Sequence, residues 1–240
     1  MLKPLFGVLM LIANLMFLTS GVVHAEKFYI YHEFEPADRY VGNGDWAHKN
    51  VSHGFWTNIM PGECGANNAA AIDLNDRTQP AAVKGGQSAV KLTFKIPTPP
   101  GWCGLAVTSN ENFWGKTPAN ATPDLNKYYP YFNLQPYQKL VFSAKGAGGN
   151  EVIQVKFAIT GDSGDQGWAD SAPLPIDCGS FTLTSGWREY VCPIKIDDPD
   201  RPLFLGRVIT PFVVTVSKIA NNSADSVGFY LDEIYFDTDK

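Results

Sequence analysis

The stretch GFYLDEIYF at residues 228–236 alternates in a way that is typical of a β-strand, and it decides the fold class. Side chains two residues apart lie on the same side of a strand, so every second residue from Tyr230 to Phe236 is predicted to share one face. Asp232 then stands in a row that otherwise consists of core residues. A buried carboxylate needs a partner, and a bound cation is one candidate.

Similar segments recur along the chain and are separated by turns that draw on 17 prolines and 22 glycines. Strands are predicted at Phe28–Phe34, Ala89–Lys95, Leu105–Thr108, Lys139–Lys145, Val152–Thr160, Ser180–Leu183, Trp187–Ile194, Arg207–Ser217 and Gly228–Phe236. The stretch from Pro36 to Ala82 is poorly periodic and holds either elaborate loops or short strands that the pattern does not locate. The alternation predicts an all-β, two-sheet antiparallel β-sandwich with almost no helix.

The first 25 residues have the pattern of a signal peptide. Lys3 precedes an apolar run at residues 5–18, and Val23-His24-Ala25 is a small-x-small cleavage site. We expect a mature chain that starts near Glu26, forms a single domain over 26–240 and is secreted, to the exterior or to a periplasm. An uncleaved N-terminal anchor is the alternative.

The formal net charge of −5 gives the chain no bulk electrostatic attraction to nucleic acid or anionic lipid. Nothing after the first 25 residues is apolar enough to cross a bilayer. We expect a monomer without a membrane span.

Four cysteines lie in the exported part, where an even number favours two disulfides. Cys178 and Cys192 are equally far from Ser185, and a hairpin centred there would place their sulfur atoms opposite each other. That pairing leaves Cys64 with Cys103. A four-cysteine metal site is the weaker alternative because no close Cys-x-x-Cys pair exists.

From residue 85 onward the order of motifs resembles carbohydrate-binding β-jelly-roll domains of the galactose-binding-like superfamily. The matching stretches are GQSAVKL (86–92), GWCGL (101–105), NFWG (112–115), LVFSAKG (140–146), EVIQVK (151–156), ADS (169–171), LTSGWREY (183–190) and YLDEI (230–234). They cover about two-thirds of the mature chain, and the resemblance implies a jelly roll with Trp187 in its core. The chain departs from the pattern in a long aromatic insert at 116–135 and in having no catalytic module.

The chemistry that the resemblance implies is sugar binding, in which flat aromatic faces stack on a pyranose while amides and carboxylates bind its hydroxyl groups. Tryptophans in predicted loops or at strand ends supply the first need. The predicted ligand-binding residues are Trp114, Trp168, Trp102, Asn112, Asp165, Gln166 and Asp170. Each tryptophan has a competing interpretation, in which it caps the sandwich core.

The resemblance also implies one structural calcium ion between the first and last strands, with Glu35 and Asp232 as its predicted ligands. A carboxylate that is hydrogen-bonded to backbone, or turned outward, is the alternative interpretation of these residues.

Catalysis has weaker support in the sequence. Residues 233–237 are similar to the carboxylate strand of laminarinase-like glycosidases, but Tyr235 stands where that motif requires Asp. A retaining mechanism then lacks its pair of carboxylates about 5–5.5 Å apart. His32, His48 and His53 match no ligand spacing.

The sequence favours a secreted, non-catalytic domain that binds a polysaccharide or glycoconjugate. The alternatives are a small glycoside hydrolase or polysaccharide lyase with carboxylates in the Pro36 to Ala82 region, or a structural or adhesive surface protein. Asn50, Asn120 and Asn221 each begin an N-x-Ser/Thr sequon, which matters only in a host that glycosylates.

Overall fold

The computed structural model describes residues 27–31, 45–47, 54–59, 71–78, 82, 88–96, 98, 101–108, 132–159, 175–197 and 199–239. In this part of the chain the strands are β1 Lys27–Tyr31, β2 Asp45–Ala47, β3 Gly54–Ile59, β4 Ala71–Asp76, β5 Ala89–Lys95, β6 Trp102–Thr108, β7 Lys139–Gly146, β8 Val152–Phe157, β9 Ile176–Thr182, β10 Arg188–Pro193, β11 Phe212–Ser217 and β12 Ser226–Asp237. One short helix, α1, spans Arg201–Leu205. None of the described helices is long and apolar enough to cross a membrane.

The strands form two six-stranded antiparallel sheets, and the predicted two-sheet antiparallel β-sandwich is confirmed. Sheet 1 has the order β10-β7-β12-β5-β4, and β1 extends β5 along the same edge of β12. Sheet 2 has the order β2-β3-β6-β11-β8-β9. The chain changes sheet repeatedly, so apart from β2-β3, β4-β5 and β8-β9 the neighbouring strands in a sheet are not consecutive in the chain.

The core lies between the sheets and is built from the inward row of each strand. Val90, Leu92 and Phe94 of β5 are fully buried and alternate with residues that are half-buried or exposed. They pack in one cluster with the inward rows of sheet 2, such as Val214 and Val216 of β11. Each large apolar side chain buried in this way contributes roughly 1.5–3 kcal/mol.

The region from Pro36 to Ala82, which the sequence left open, contributes β2, β3 and β4. β2 and β3 extend sheet 2, and β4 is an edge strand of sheet 1. The interpretation as short strands therefore holds for these three segments. These strands show little alternation of apolar and polar residues because they are short: β2 has three residues, and β3 and β4 have six each.

The strand predicted at Arg207–Ser217 is shorter than expected and begins at Phe212. The preceding segment forms α1, with Pro202 in its first turn, followed by an isolated bridge between Val208 and Phe132. Proline at the start of a helix costs no hydrogen bond, whereas the next proline, Pro211, would interrupt a strand ladder.

β12 contains a bulge that changes which residues face the core. Asp232 pairs with Ser143 of β7, and Tyr235 pairs with Val141 of β7. Three steps along β12 therefore correspond to two steps along β7. Glu233 occupies the extra position with a φ of 47°. The left-handed conformation costs a residue with a Cβ atom roughly 1–2 kcal/mol.

The prediction that Tyr230 and Asp232 share one face with Ile234 and Phe236 is therefore wrong. Phe229 and Leu231 face the core before the bulge, and Ile234 and Phe236 face it after the bulge. Tyr230 and Asp232 lie on the outer side of sheet 1, in the same row as Ser143 of β7. Asp232 is nevertheless fully buried, because other residues cover it from that side.

The predicted disulfide between Cys178 and Cys192 is present, with 5.2 Å between the two Cα atoms. The hairpin used to predict it is wrong. β9 is an edge strand of sheet 2 and β10 is an edge strand of sheet 1, so residues 183–187 cross between layers. The bond joins the two sheets at one side of the sandwich. Cys103 is also disulfide-bonded, and its predicted partner Cys64 lies outside the described residues.

β4 ends at Asp76, whose carboxylate is buried. Asp76 is 2% exposed, and it accepts hydrogen bonds from the backbone N–H and the hydroxyl group of Thr78. Lys91 Nζ lies 3.4 Å from its second oxygen. Burial alone would raise the pKa of Asp76, but the Thr78 hydrogen bonds and the Lys91 ammonium outweigh it and lower that pKa below its usual value.

We predict that Asp76→Asn lowers the free energy of unfolding by about 1–2 kcal/mol at pH 7, because a charge-assisted hydrogen-bond acceptor is lost. A lowered pKa contributes stability that is present above the unfolded-state value and is lost as the pH falls through the folded-state value. The difference between wild type and variant should therefore shrink below pH of about 4. Urea unfolding at pH 7, 4 and 3 measures it, and a difference that is constant with pH would contradict the ionic origin.

Candidate functional site

A groove of about 550 Å³ lies on the outer face of sheet 2. Four neighbouring strands, β6, β11, β8 and β9, form its floor. The register places Gly104, Thr215, Gln154 and Ser180 opposite one another in a row that crosses these strands. Three spacings of about 4.8 Å make such a row about 14 Å long. A ligand with more than one ring can therefore lie across the strands.

One end of the groove is aromatic and apolar. Trp102 begins β6 and is partly buried against a small cluster formed by Ala106 and Val213, and Ile159 packs on the same cluster. Gly104 follows Trp102 in the outward row of β6, so no side chain rises next to the indole on that strand. Because Gly104 has no side chain, one flank of the Trp102 indole faces the groove.

The other side of the groove is polar. Asp177 accepts a hydrogen bond of 2.9 Å from Gln154 Nε2, and Lys156 Nζ lies 3.4 Å from the same carboxylate oxygen. Lys156 and Asp177 are partly exposed, at 29% and 44%. The charges of the pair offset each other, and the two donors are held in fixed positions beside the row that contains Thr215.

A bulge in β9 makes this arrangement compatible with the interlayer disulfide. The pairing of β8 with β9 skips Cys178 between Gly179 and Asp177. Gly179 has a φ of 87°, which a glycine adopts without a Cβ penalty, and its N–H donates to Asp177 Oδ1 over 2.8 Å. Cys178 packs against the core while Asp177 stays on the groove side.

Of the predicted ligand-binding residues, Trp102 is in the groove. The others lie outside the described residues and stay predictions: Trp114, Trp168, Asn112, Asp165, Gln166 and Asp170. Ile159 and Pro175, the described residues on either side of segment 160–174, both line the groove.

The polar residues of the groove were not among the predicted ligand-binding residues, because they lie on strands and not in loops. Gln154 and Lys156 occupy outward positions of β8, and Thr215 occupies one on β11. The available signal was the weak alternation of β8, in which polar residues separate buried ones. A polar outward row is ordinary in a sandwich, so only the fold shows that these rows meet beside Trp102.

The outer face of sheet 1 also carries aromatic residues, and Trp187 is one of them. The expectation that Trp187 belongs to the core is wrong: it is partly exposed, and its ring forms a T-shaped pair with that of Tyr230 at 6.4 Å between centroids. Lys145 Nζ lies 4.9 Å from the centroid of Tyr230. The chain reaches Trp187 just before β10, where it crosses from one sheet to the other.

A second aromatic pair lies on the same face, where Tyr29 and Tyr235 are 5.1 Å apart between centroids. Lys27 Nζ lies 4.0 Å from the centroid of Tyr235. Partial burial and the nearby carboxylate of Glu233 raise the pKa of Tyr29.

Asp232, one of the two predicted calcium ligands, is bound to backbone. Its Oδ2 accepts the N–H of Ala82 over 2.8 Å, and its Oδ1 accepts the N–H of Glu233 over 2.9 Å. These two bonds match the alternative interpretation, a carboxylate that is hydrogen-bonded to backbone. The second predicted ligand, Glu35, lies outside the described residues, within which no three His, Cys, Asp or Glu side chains cluster. The calcium site stays a prediction.

The side-chain amide of Asn221, the first residue of a sequon, makes hydrogen bonds within the fold. Asn221 is 8% exposed, its Nδ2 donates to the carbonyl groups of Val152 and Ser217, and its Oδ1 accepts the N–H of Val152. The amide nitrogen that a glycan would modify is thus buried in the folded chain. Asn50 and Asn120 lie outside the described residues.

Comparison with known proteins finds similarity at the level of structure alone. No protein-family model matches the chain, and no curated protein matches it. A family 29 carbohydrate-binding module from Piromyces equi is 13% identical, with 90% of this chain and 93% of that chain covered and a TM-score of 0.44. A family 30 carbohydrate-binding module is 15% identical, with 91% and 90% covered and a TM-score of 0.47. A family 11 module from Clostridium thermocellum, in complex with a β-1,3-1,4-mixed-linked tetrasaccharide, is 13% identical, with 82% and 96% covered and a TM-score of 0.44.

We predict that removal of calcium lowers the melting temperature if Asp232 and Glu35 hold the ion, because a ligand that binds only the folded chain stabilises it. Thermal unfolding is compared in EDTA, after return of Ca²⁺, and after return of Mg²⁺ as the control for ionic strength. Equal melting temperatures in EDTA and in Ca²⁺ would contradict the calcium site.

Proposed function

We propose that this protein binds a polysaccharide or glycoconjugate without cleaving it, and that the glycan lies in the groove on the outer face of sheet 2. The observation that carries the proposal is the open flank of Trp102 beside a row of neutral polar side chains. An indole offers a flat apolar surface to the apolar side of a pyranose, and Gln154, Thr215 and Ser180 offer donors and acceptors to its hydroxyl groups.

The groove is an extended site, which suits a chain more than a single sugar. Its floor consists of rigid strands, so the groups that would contact the glycan are positioned before the ligand arrives. Trp102 lies at one end of β6, and the row of Gly104, Thr215 and Gln154 leads away from it across the sheet. We infer that successive sugar rings follow this row.

Binding without cleavage is supported by the charges. Glycosidases use two carboxylates that flank the scissile bond. The described lining of the groove includes no Asp or Glu, and the adjacent Asp177 is held by Lys156 and Gln154.

We also propose that the protein acts after export. The support is chemical: the bond between Cys178 and Cys192 and the disulfide-bonded state of Cys103 suit an oxidising compartment. The signal peptide predicted at residues 1–25 would supply the route.

We predict that Trp102→Ala weakens retention on a bound polysaccharide at least about tenfold, since a stacking contact and the apolar area under it are lost. Affinity electrophoresis against a panel of soluble polysaccharides measures it, with release of reducing ends followed in the same samples. Trp102→Phe should retain part of the affinity. The matched control is Leu203→Ala, which removes an exposed apolar side chain from α1, outside the groove.

Equal retention by wild type and Trp102→Ala would contradict the placement of the ligand. Release of reducing ends by the wild type would contradict the absence of catalysis and favour the hydrolase alternative.

The predicted tryptophans outside the described residues are tested in the same assay. We predict that the double variant Trp114→Ala, Trp168→Ala loses retention as well, because these side chains would add stacking surfaces to the one at Trp102. Circular dichroism establishes that the variant is folded. Unchanged retention in a folded double variant would exclude both residues from the site.

A further inference from the structure

A second cavity, of about 440 Å³, lies on the outer face of sheet 1. β1, β7, β10 and β12 contribute to its lining, so it is built on the sheet opposite the groove. No described residue lines both cavities. Occupation of one therefore leaves the other accessible.

The bulge in β12 is what builds this cavity. In an uninterrupted strand Glu233 and Tyr235 would lie on the side opposite Asp232 and face the core. The extra residue at Glu233 turns Tyr235 outward, and both Glu233 and Tyr235 line the cavity. Bulges recur beside functional sites because they re-aim side chains in this way.

Asp232 holds the bulge in place. One carboxylate oxygen accepts the N–H of Glu233 within the bulge, and the other accepts the N–H of Ala82, which also lines the cavity. A non-glycine residue in the left-handed region persists only when its surroundings determine it, and such residues cluster at ligand sites. Glu233 lines the cavity and is only 9% exposed.

The charges of the lining decide which ligand fits. Lys27 and Arg188 are cationic, and Glu189 and Glu233 are anionic, so the formal charges cancel. A balanced set of donors and acceptors suits an uncharged polyhydroxyl compound better than an anion or a cation.

The aromatic residues complete the set of groups that a sugar needs. Lys27 Nζ lies 4.0 Å from the centroid of the Tyr235 ring, and Lys145 Nζ lies 5.8 Å from that of Trp187, so Trp187 has the more distant cation of the two aromatic residues in the lining. Trp187 makes a T-shaped ring contact with Tyr230. Ser143, from the middle of β7, adds a hydroxyl group to the floor.

We propose that the cavity on sheet 1 is a second binding site, which takes one or two rings of an uncharged saccharide, such as the end or a side branch of a glycan. It is independent of the groove, which takes the extended chain. Glu233 binds sugar hydroxyl groups through its carboxylate, and Trp187 stacks on the ring.

The experiment separates this site from the groove by working in the Trp102→Ala background. The experiment titrates ¹⁵N-labelled protein with sugars to about 50 mM, a range that detects millimolar dissociation constants. The sugars are the methyl glycosides of glucose, galactose, mannose and xylose, their common disaccharides, and galacturonate. We expect at least one neutral sugar to shift the indole N–H signal of Trp187 and the backbone amide signals of Ser143 and Glu189. Shifts by galacturonate alone, shifts elsewhere only, or no shifts would overturn the proposal.

Two variants of Glu233 test the role of the bulge. Glu233→Gln should weaken the sugar at least about fivefold, because a neutral amide is a poorer acceptor for hydroxyl groups. Glu233→Gly should abolish the response while the protein unfolds at the same or a higher urea concentration, since glycine accepts a positive φ. The matched control is Glu151→Gln, which makes the same exchange outside both cavities.

Full sugar affinity in Glu233→Gly would overturn the proposal, because the carboxylate would then have only a structural role. Polysaccharide retention through Trp102 is measured with the wild type, so the groove and this cavity can each fail without the other.

Discussion

The arrangement of sheet 1 depends on one carboxylate, that of Asp232. It is fully buried on the outer side of β12 and accepts backbone N–H groups from Glu233 and from Ala82. A buried charge is stable only when hydrogen bonds replace its hydration, and these two bonds do so while they hold an extra residue in the strand. Every residue of β12 after that point changes face. The row that presents Tyr235 to the outside, and Ile234 and Phe236 to the core, follows from this bulge.

The two faces of the sandwich present different chemistry for the same physical reason. Outward rows of antiparallel sheets are free to carry polar residues, because packing constrains only the inward rows. On sheet 2 the outward rows bring Trp102, Thr215 and Gln154 into an open groove. On sheet 1 they bring lysines over tyrosines, as Lys27 lies over Tyr235 and Lys145 over Tyr230. In both pairs the ammonium nitrogen lies over the aromatic ring, which is the geometry of a cation–π interaction.

The two bulges have complementary effects. The one in β9 leaves Cys178 on the core side and Asp177 on the groove side, so a disulfide between the layers and a polar cluster on the surface share one short segment. The one in β12 brings a glutamate and a tyrosine to one face. In β9 the left-handed position is taken by Gly179 without strain, whereas in β12 Glu233 takes it. That difference is why Glu233, and not Gly179, points to a functional constraint.

The sequence by itself determined the all-β class and the inward row of Val90, Leu92 and Phe94, because period-two alternation is a local property. The pairing of Cys178 with Cys192 was predicted correctly, but from a hairpin that the fold does not contain. Only the tertiary structure decided that this disulfide crosses between sheets, that Trp187 lies outside the core, and that Gln154 and Thr215 meet beside Trp102. It also decided the facing of Tyr230 and Asp232. A bulge adds one residue without any local signature in the sequence, and the contacts that stabilise this one come from Ala82, 150 positions away along the chain.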